Sequence, residues 1–403
     1  MALHSFWYDE ARGEFQAAEK ADPRCAMAYW GEAMSHIELL WLGDDTAAAR
    51  AALARIPAPP KTARERAWLS AIAPLVSTQD PWPRRAAFEQ AMEKLEHDYP
   101  DDESKAFLAL ALITEKPEFE LARAARAAAL AMEVTAHNPD HPGALHYTIH
   151  ALDTPELAIL ALPAARRYAE VAPAAPHARH MPAHIFSRLG MWPEALASCE
   201  SAWQASEAWV KREKLPLDKR DFHSFGWIIA INATMGRPHA AAQALATLAG
   251  ADSPRMRDYY VVMATLFLRA TGEWSQLESL LAPIAAAPPE SPSVVKSAAC
   301  HGPSKPQLDW IAINVDSVRL YAAAARHDLA EANRLIAARV ALEGSVAAQE
   351  VQRMGKVGFG REQRIEALED QALRAEAARN DLGAAANWRE AATIEDLYPP
   401  AEG

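Results

Sequence analysis

Seven of the chain's 14 histidines (His137, His141, His146, His150, His177, His180 and His184) fall within 48 consecutive residues. Imidazole titrates near neutral pH and, when neutral, offers a nitrogen lone pair to transition metals. His146 and His150 stand four apart in Pro142-Gly-Ala-Leu-His-Tyr-Thr-Ile-His150, so on a helix they share one face. Two imidazoles so placed can hold one ion at about 2.0–2.1 Å per nitrogen. A second group follows in His177-Ala-Arg-His-Met-Pro-Ala-His-Ile-Phe186. Proline suits the first turn of a helix, so Pro182 predicts a helix starting near Met181, with His180 just before it and His184 in its first turn. His223, in Asp221-Phe-His-Ser-Phe225, adds a candidate from the next repeat, and His4 sits in a similar His-Ser-Phe triplet. The pattern predicts a metal site on His146, His150, His180 and His184, with His177 or His223 completing the shell. Neutral imidazoles suit zinc first and copper or iron second. The scarcity of carboxylate nearby disfavours magnesium.

Lone helical histidines are usually hydrogen-bonded or packed, and an i,i+4 pair alone says little. Two groups on successive helices point further, against a hydrogen-bonded polar cluster or a pH-sensing contact as the alternatives. His137 and His141 flank Asn138-Pro139 and are expected to be cap or solvent residues. Asp153, Asp221 and Tyr147 are the candidate catalytic groups, able to orient a ligand imidazole or act on metal-bound water. For Asp153 the competing expectation is a helix N-cap in Asp153-Thr-Pro-Glu156. Arg179 and Arg188 are candidate anchors for an anionic substrate, and Trp30, with Trp41, a candidate stacking surface. Cys25, Cys199 and Cys300 are too dispersed for a disulfide framework or a zinc knuckle.

The elements that must carry these residues read as helices. Strand patterns are nearly absent, while Phe88, Ala91, Met92 and Leu95 typify the recurring i, i+3, i+4, i+7 spacing. Closing prolines recur at Pro23, Pro100, Pro139 and Pro173, and the last two are 34 residues apart, the tetratricopeptide period. Gly190, Gly236 and Gly272 mark turns within later pairs, as do the related strings Ala325-Arg-His-Asp-Leu329 and Ala378-Arg-Asn-Asp-Leu382. The expected fold is all-α: a right-handed α-solenoid of about nine tetratricopeptide-like helix pairs forming a single domain over 1–403. Residues 1–281 hold the regular repeats, 282–307 a Pro-rich loop, and 308–403 the C-terminal helix pairs. Gly344–Arg361, with Gly355, Gly358 and Gly360, reads as a second loop, and the histidine face is expected to line a concave groove.

The strings Tyr29-Trp-Gly31, His141-Pro-Gly-Ala-Leu-His-Tyr-Thr-Ile-His150 and His177-Ala-Arg-His-Met-Pro-Ala-His-Ile-Phe186 resemble a group of bacterial tetratricopeptide-repeat proteins. The resemblance covers residues 1–250 well and the remainder loosely. It implies an α-solenoid with a histidine-lined groove and supplies no reaction. The shorter ends relative to that group leave open a homo-oligomer that covers them.

Composition bounds the function. With 403 residues, 50% hydrophobic and a net charge of −12, the chain is neither disordered nor suited to grip nucleic acid. No apolar run is long enough to span a membrane, and the first ten residues show no secretory signal, so a cytoplasmic protein is expected. The leading expectation is a metalloenzyme acting on a small molecule, with hydrolysis by metal-bound water first and oxygen chemistry second. The alternative is a non-catalytic adaptor that binds a peptide or protein in the groove.

Overall fold

The computed structural model describes residues 1–41, 43–77, 80–114, 121–248, 254–285 and 305–397. The described residues are helical or irregular, with no strand among them. They group into two compact units, one built around Met1–Trp209 and the other around Val210–Val351 and Phe359–Asp396.

A short 3-10 turn, Leu3–Ser5, opens the first unit. It is followed by α1 (Tyr8–Ala21), α2 (Ala26–Met34), α3 (Thr46–Ala54), α4 (Ala63–Ile72), α5 (Pro81–Asp98), α6 (Asp102–Thr114), α7 (Leu121–His137), α8 (Pro142–Ala151), α9 (Ala158–Val171), α10 (Pro176–Arg188) and α11 (Trp192–Glu213). From α4 to α10 each helix packs on the next, and alternate helices also touch: α2 with α4, α6 with α8, α8 with α10. Helix starts follow their sequence signals. Thr62 and Glu65 form a capping box at α4, and the His141 side chain caps α8, with Pro142 in the first turn. Small residues let the helices approach closely: Ala127 and Ala131 of α7 and Ala158 and Ala161 of α9 are fully buried. Trp30, Trp68 and Phe107 fill the wider gaps as an edge-to-face trio, 5.1–5.4 Å between ring centres.

Two features of this unit position the histidines. In α8 every residue from Gly143 to Ile149 is buried, as for a helix covered on all sides. The Leu3–Ser5 turn lies against α8, and Phe6 follows it with φ 51, a left-handed conformation that turns the chain into α1. The sequence expectation for α10 is corrected. The helix starts at Pro176, which takes the first-turn position, and Pro182 sits inside it. Both prolines qualify for a first turn on local grounds. Burial of Ala178, Met181, Ala183 and Ile185 carries the helix through the second one.

The second unit contains α12 (Phe222–Thr234), α13 (Pro238–Ala246), α14 (Pro254–Thr271), α15 (Leu277–Ala285), α16 (Lys305–Ala325), α17 (Leu329–Ala377) and α18 (Asp381–Leu397). Gly190, Gly236 and Gly272 adopt φ 70–72 at the expected turns, and His327 and Arg379 are also left-handed, at φ 56 and 57, at the third and second places of the two related strings. The expected loop at Gly344–Arg361 is corrected to helical backbone. Thirty-one residues of straight helix would span about 46 Å, yet Arg339 pairs with Asp370 and His327 Nδ1 meets the Glu376 carbonyl at 3.0 Å. α17 therefore doubles back on itself, and the reversal lies in the glycine-containing stretch without an extended loop. Glycine costs about 1 kcal/mol in a helix, which the flanking Ala, Leu, Glu and Arg residues offset. The middle of the expected Pro-rich loop, 286–304, lies outside the described residues, as does Cys300. No described helix is long and apolar enough to cross a membrane.

Candidate metal centre

With α10 starting at Pro176, His177, His180 and His184 follow at i, i+3 and i+7 and share one face. α10 touches α8, and their histidines meet. His146 Nε2 lies 2.9 Å from His150 Nε2 and 3.1 Å from His177 Nε2. The other nitrogen of His146 fixes its tautomer: Nδ1–H donates to the main-chain carbonyl of His4 at 2.5 Å. Nε2 of His146 therefore presents a lone pair. One in-plane lone pair cannot satisfy two neighbours as a hydrogen-bond acceptor, whereas a cation among three lone pairs satisfies all of them. Nitrogens 2.9–3.1 Å apart, each about 2.05 Å from an ion, subtend roughly 90–100° there. Both angles fit His150 and His177 each taking a position next to His146 around one ion.

His180 and His184 form a second group, their Nε2 atoms 3.0 Å apart. His184 Nδ1–H donates to Asp153 Oδ2 at 2.8 Å, and Asp153 Oδ1 accepts from Arg188 Nε at 2.9 Å. A carboxylate on the far nitrogen orients an imidazole and raises its basicity as a ligand. Burial alone would raise the Asp153 carboxyl, but the His184 hydrogen bond and the charges of His184 and Arg188 hold it well below the usual range. Asp153 is not a helix cap; Leu157 occupies the N-cap position of α9. Cys199 Sγ approaches His180 Nδ1 at 3.6 Å and is itself buried.

The expected open groove is not present at these residues. His146, His180 and His184 are at most 1% exposed, and His150 and His177 are half-buried. The cover comes from the strap Leu3–Trp7. The Phe6 ring meets His146 edge-on at 4.5 Å and stacks on His177 at 5.6 Å and His150 at 5.9 Å. Tyr168 stacks on His146 at 5.1 Å, and Trp41 stands edge-on to His177 at 5.2 Å. Burial first, then the charge of neighbouring imidazoles, holds His146 and His177 well below the ordinary histidine pKa, so both are neutral at pH 7, the form that can bind a metal.

A third group, His4, Glu103 and His141, sits beside the first and behaves differently. His4 Nδ1 accepts from Tyr147 Oη at 3.0 Å, and its Nε2–H donates to Glu103 at 2.9 Å. His141 Nδ1 accepts from the Ala144 amide at 3.1 Å, so its Nε2 carries the proton, 3.6 Å from Glu103. A metal on that nitrogen would have to displace the proton. The trio is therefore a hydrogen-bonded clamp that fastens the strap to α6 and α8. Burial would raise the Glu103 carboxyl, but the facing His141 and His4 imidazoles hold it well below the usual range.

The remaining candidates have partners of their own. Tyr147 is fully buried and engaged with His4, not with the Nε2 groups. Arg179 binds Ser201 Oγ at 2.7 Å and the Pro173 carbonyl, on the α11 side of α10. Trp30 belongs to the aromatic core trio. Asp221 caps α12 through the Ser224 amide at 3.1 Å, and His223, with its ring 6.1 Å from Trp227, lies on the same helix in the second compact unit. Phe6 and the His4 carbonyl were invisible to sequence reasoning as site elements. The one signal was the His-Ser-Phe triplet, which pointed to a histidine side chain and not to the backbone or the ring beside it. The chain matches no protein-family model, and a search of curated proteins finds no match.

Proposed function

We propose that this is a tetratricopeptide-like α-solenoid metalloprotein whose buried histidine centre binds a transition metal, and that it is an enzyme using the open positions of that metal. The observation that carries the reading is the convergence of three Nε2 atoms within 3.1 Å contacts about His146, whose tautomer is set by the His4 carbonyl. The repeat reading is supported by contacts between alternate helices and by left-handed turns between successive helices. Zinc is the first candidate and copper or iron the second, because the donors are neutral imidazoles without a directly ligating carboxylate or thiolate. On zinc, three histidines leave a position for water of lowered pKa, which suits hydrolysis of an ester, lactone or phosphoester; on copper or iron, oxygen chemistry follows instead. The half-buried edges of His150 and His177 beside Phe6 and Trp41 favour a small substrate over a folded partner.

The test is elemental analysis of protein purified without an affinity tag, alongside His150→Ala. Stoichiometric metal in the parent, lost in the variant, is the expected result. A parent free of metal that also fails to take up added zinc, copper or iron would sink the proposal.

A further inference from the structure

The two histidine groups are separately organised. Within them, facing rings have centres 4.7 Å apart for His146–His150 and 4.9 Å apart for His146–His177 and His180–His184. Between them, the closest rings are 6.3 Å apart for His177–His180 and 6.4 Å apart for His150–His184. Each group turns Nε2 atoms on its own members and has its own external partner for Nδ1, the His4 carbonyl for one and Asp153 for the other. A single ion with bonds of about 2.0–2.1 Å holds nitrogens no more than about 4.2 Å apart, and the wider ring spacing between the groups sets them side by side as two separate ligand sets.

We infer that the centre is dinuclear. One ion is held by His146, His150 and His177, and a second, beside it, by His180 and His184, with a small anion bridging the two. The inference rests on the metal reading of this same site. The bridge follows from charge. Five neutral imidazoles leave two dications uncompensated, and the carboxylate hydrogen-bonded to this pair of groups, Asp153, is already shared with Arg188. A buried excess of positive charge is costly unless an anion enters. Hydroxide, a carboxylate or a phosphoryl oxygen supplies both the charge and the second contact, and the same chemistry defines the substrate class: a small molecule presenting an anionic oxygen. Two adjacent ions clamping one oxygen-bearing group is an established way of stabilising both the attacking and leaving oxygens of a displacement.

The experiment loads the full chain with copper(II) chloride, removes excess ion, and measures bound copper together with the integrated electron paramagnetic resonance intensity. The expected result is two equivalents with intensity well below that of two isolated ions, because neighbouring bridged copper(II) centres couple. The His180→Ala/His184→Ala double variant should retain one equivalent at full intensity. One equivalent in the parent, kept by the double variant, overturns the dinuclear assignment and leaves the metal reading standing. Two equivalents at full intensity overturn the bridge. No bound copper, repeated with zinc chloride, removes both readings. Should the double variant fail to fold by circular dichroism, the stoichiometry and intensity of the parent decide.

Discussion

Asp153 joins two side chains of α10, accepting from His184 with one oxygen and from Arg188 with the other. Replacing it by Asn keeps the shape and removes the charge that sets the basicity of His184. Asp153→Asn is expected to weaken metal binding about 10–100-fold with the helices intact, as read by competition with a chromophoric zinc chelator; unchanged affinity would argue that Asp153 is only an ion-pair partner of Arg188. A different residue tests the strap. A Cβ added at Gly143 would come within 2.4 Å of His4 Nδ1, so Gly143→Ala must push out the His4 ring and break its bonds to Tyr147 and Glu103. The expected loss is about 1–3 kcal/mol in urea unfolding, with increased accessibility of the centre to a chelator. At this scale the histidines themselves were legible, because their spacing matches helical geometry. Asp153 was legible only as a choice between cap and orienter, since Asp-Thr-Pro-Glu fits both. Phe6 was not legible at all: nothing local ties residue 6 to residues 146–177, and the contact depends on how the chain closes over α8.

At the level of elements, helix pairs from α2 to α15 follow proline and glycine punctuation, because both residues act through backbone geometry that the sequence states directly. The two errors arise where local rules tie or are outweighed. Pro176 and Pro182 both qualify as a first-turn residue, and tertiary burial of α10 decides between them. In α17, strong helix formers on either side override the glycines, so a reversal expected as loop is built from helical backbone. That fold-back gathers Glu366, Glu369 and Asp370 near Arg339, and burial, helped by Glu343, Asp370 and Glu362, pushes the Glu366 carboxyl up to about 7. An unfolded Glu titrates at about 4.3, so between that pH and about 7 the folded state binds the extra proton. Stability from this group is therefore present at low pH and lost as pH rises through 7. Glu366→Gln should raise the melting temperature of the second unit at pH 8 more than at pH 5. An equal shift at both values would mean that the group is not titrating in that window.

For the molecule as a whole, the described residues form two compact units and the proposed centre belongs to the first. Its ligands come from α8 and α10, and its cover from the strap, so an ion bound there ties together segments more than 140 residues apart in sequence. An ion that binds only the folded state adds RT ln(1 + [L]/Kd), about 2.7 kcal/mol at one hundred times Kd. That stabilisation acts on the elements whose opening releases the ion. Hydrogen exchange followed by mass spectrometry, with and without saturating zinc chloride, should then show slower exchange in Leu3–Trp7, α8 and α10, and no change in α16–α18. The strap is the informative segment. Its backbone carbonyl at His4 holds the tautomer of His146, and its Phe6 ring covers the three imidazoles. Opening of the strap must therefore precede loss of the ion from the first group. Slowing confined to α8 and α10, with the strap exchanging as before, would show that the ion binds without engaging its cover and that the strap and the centre are uncoupled.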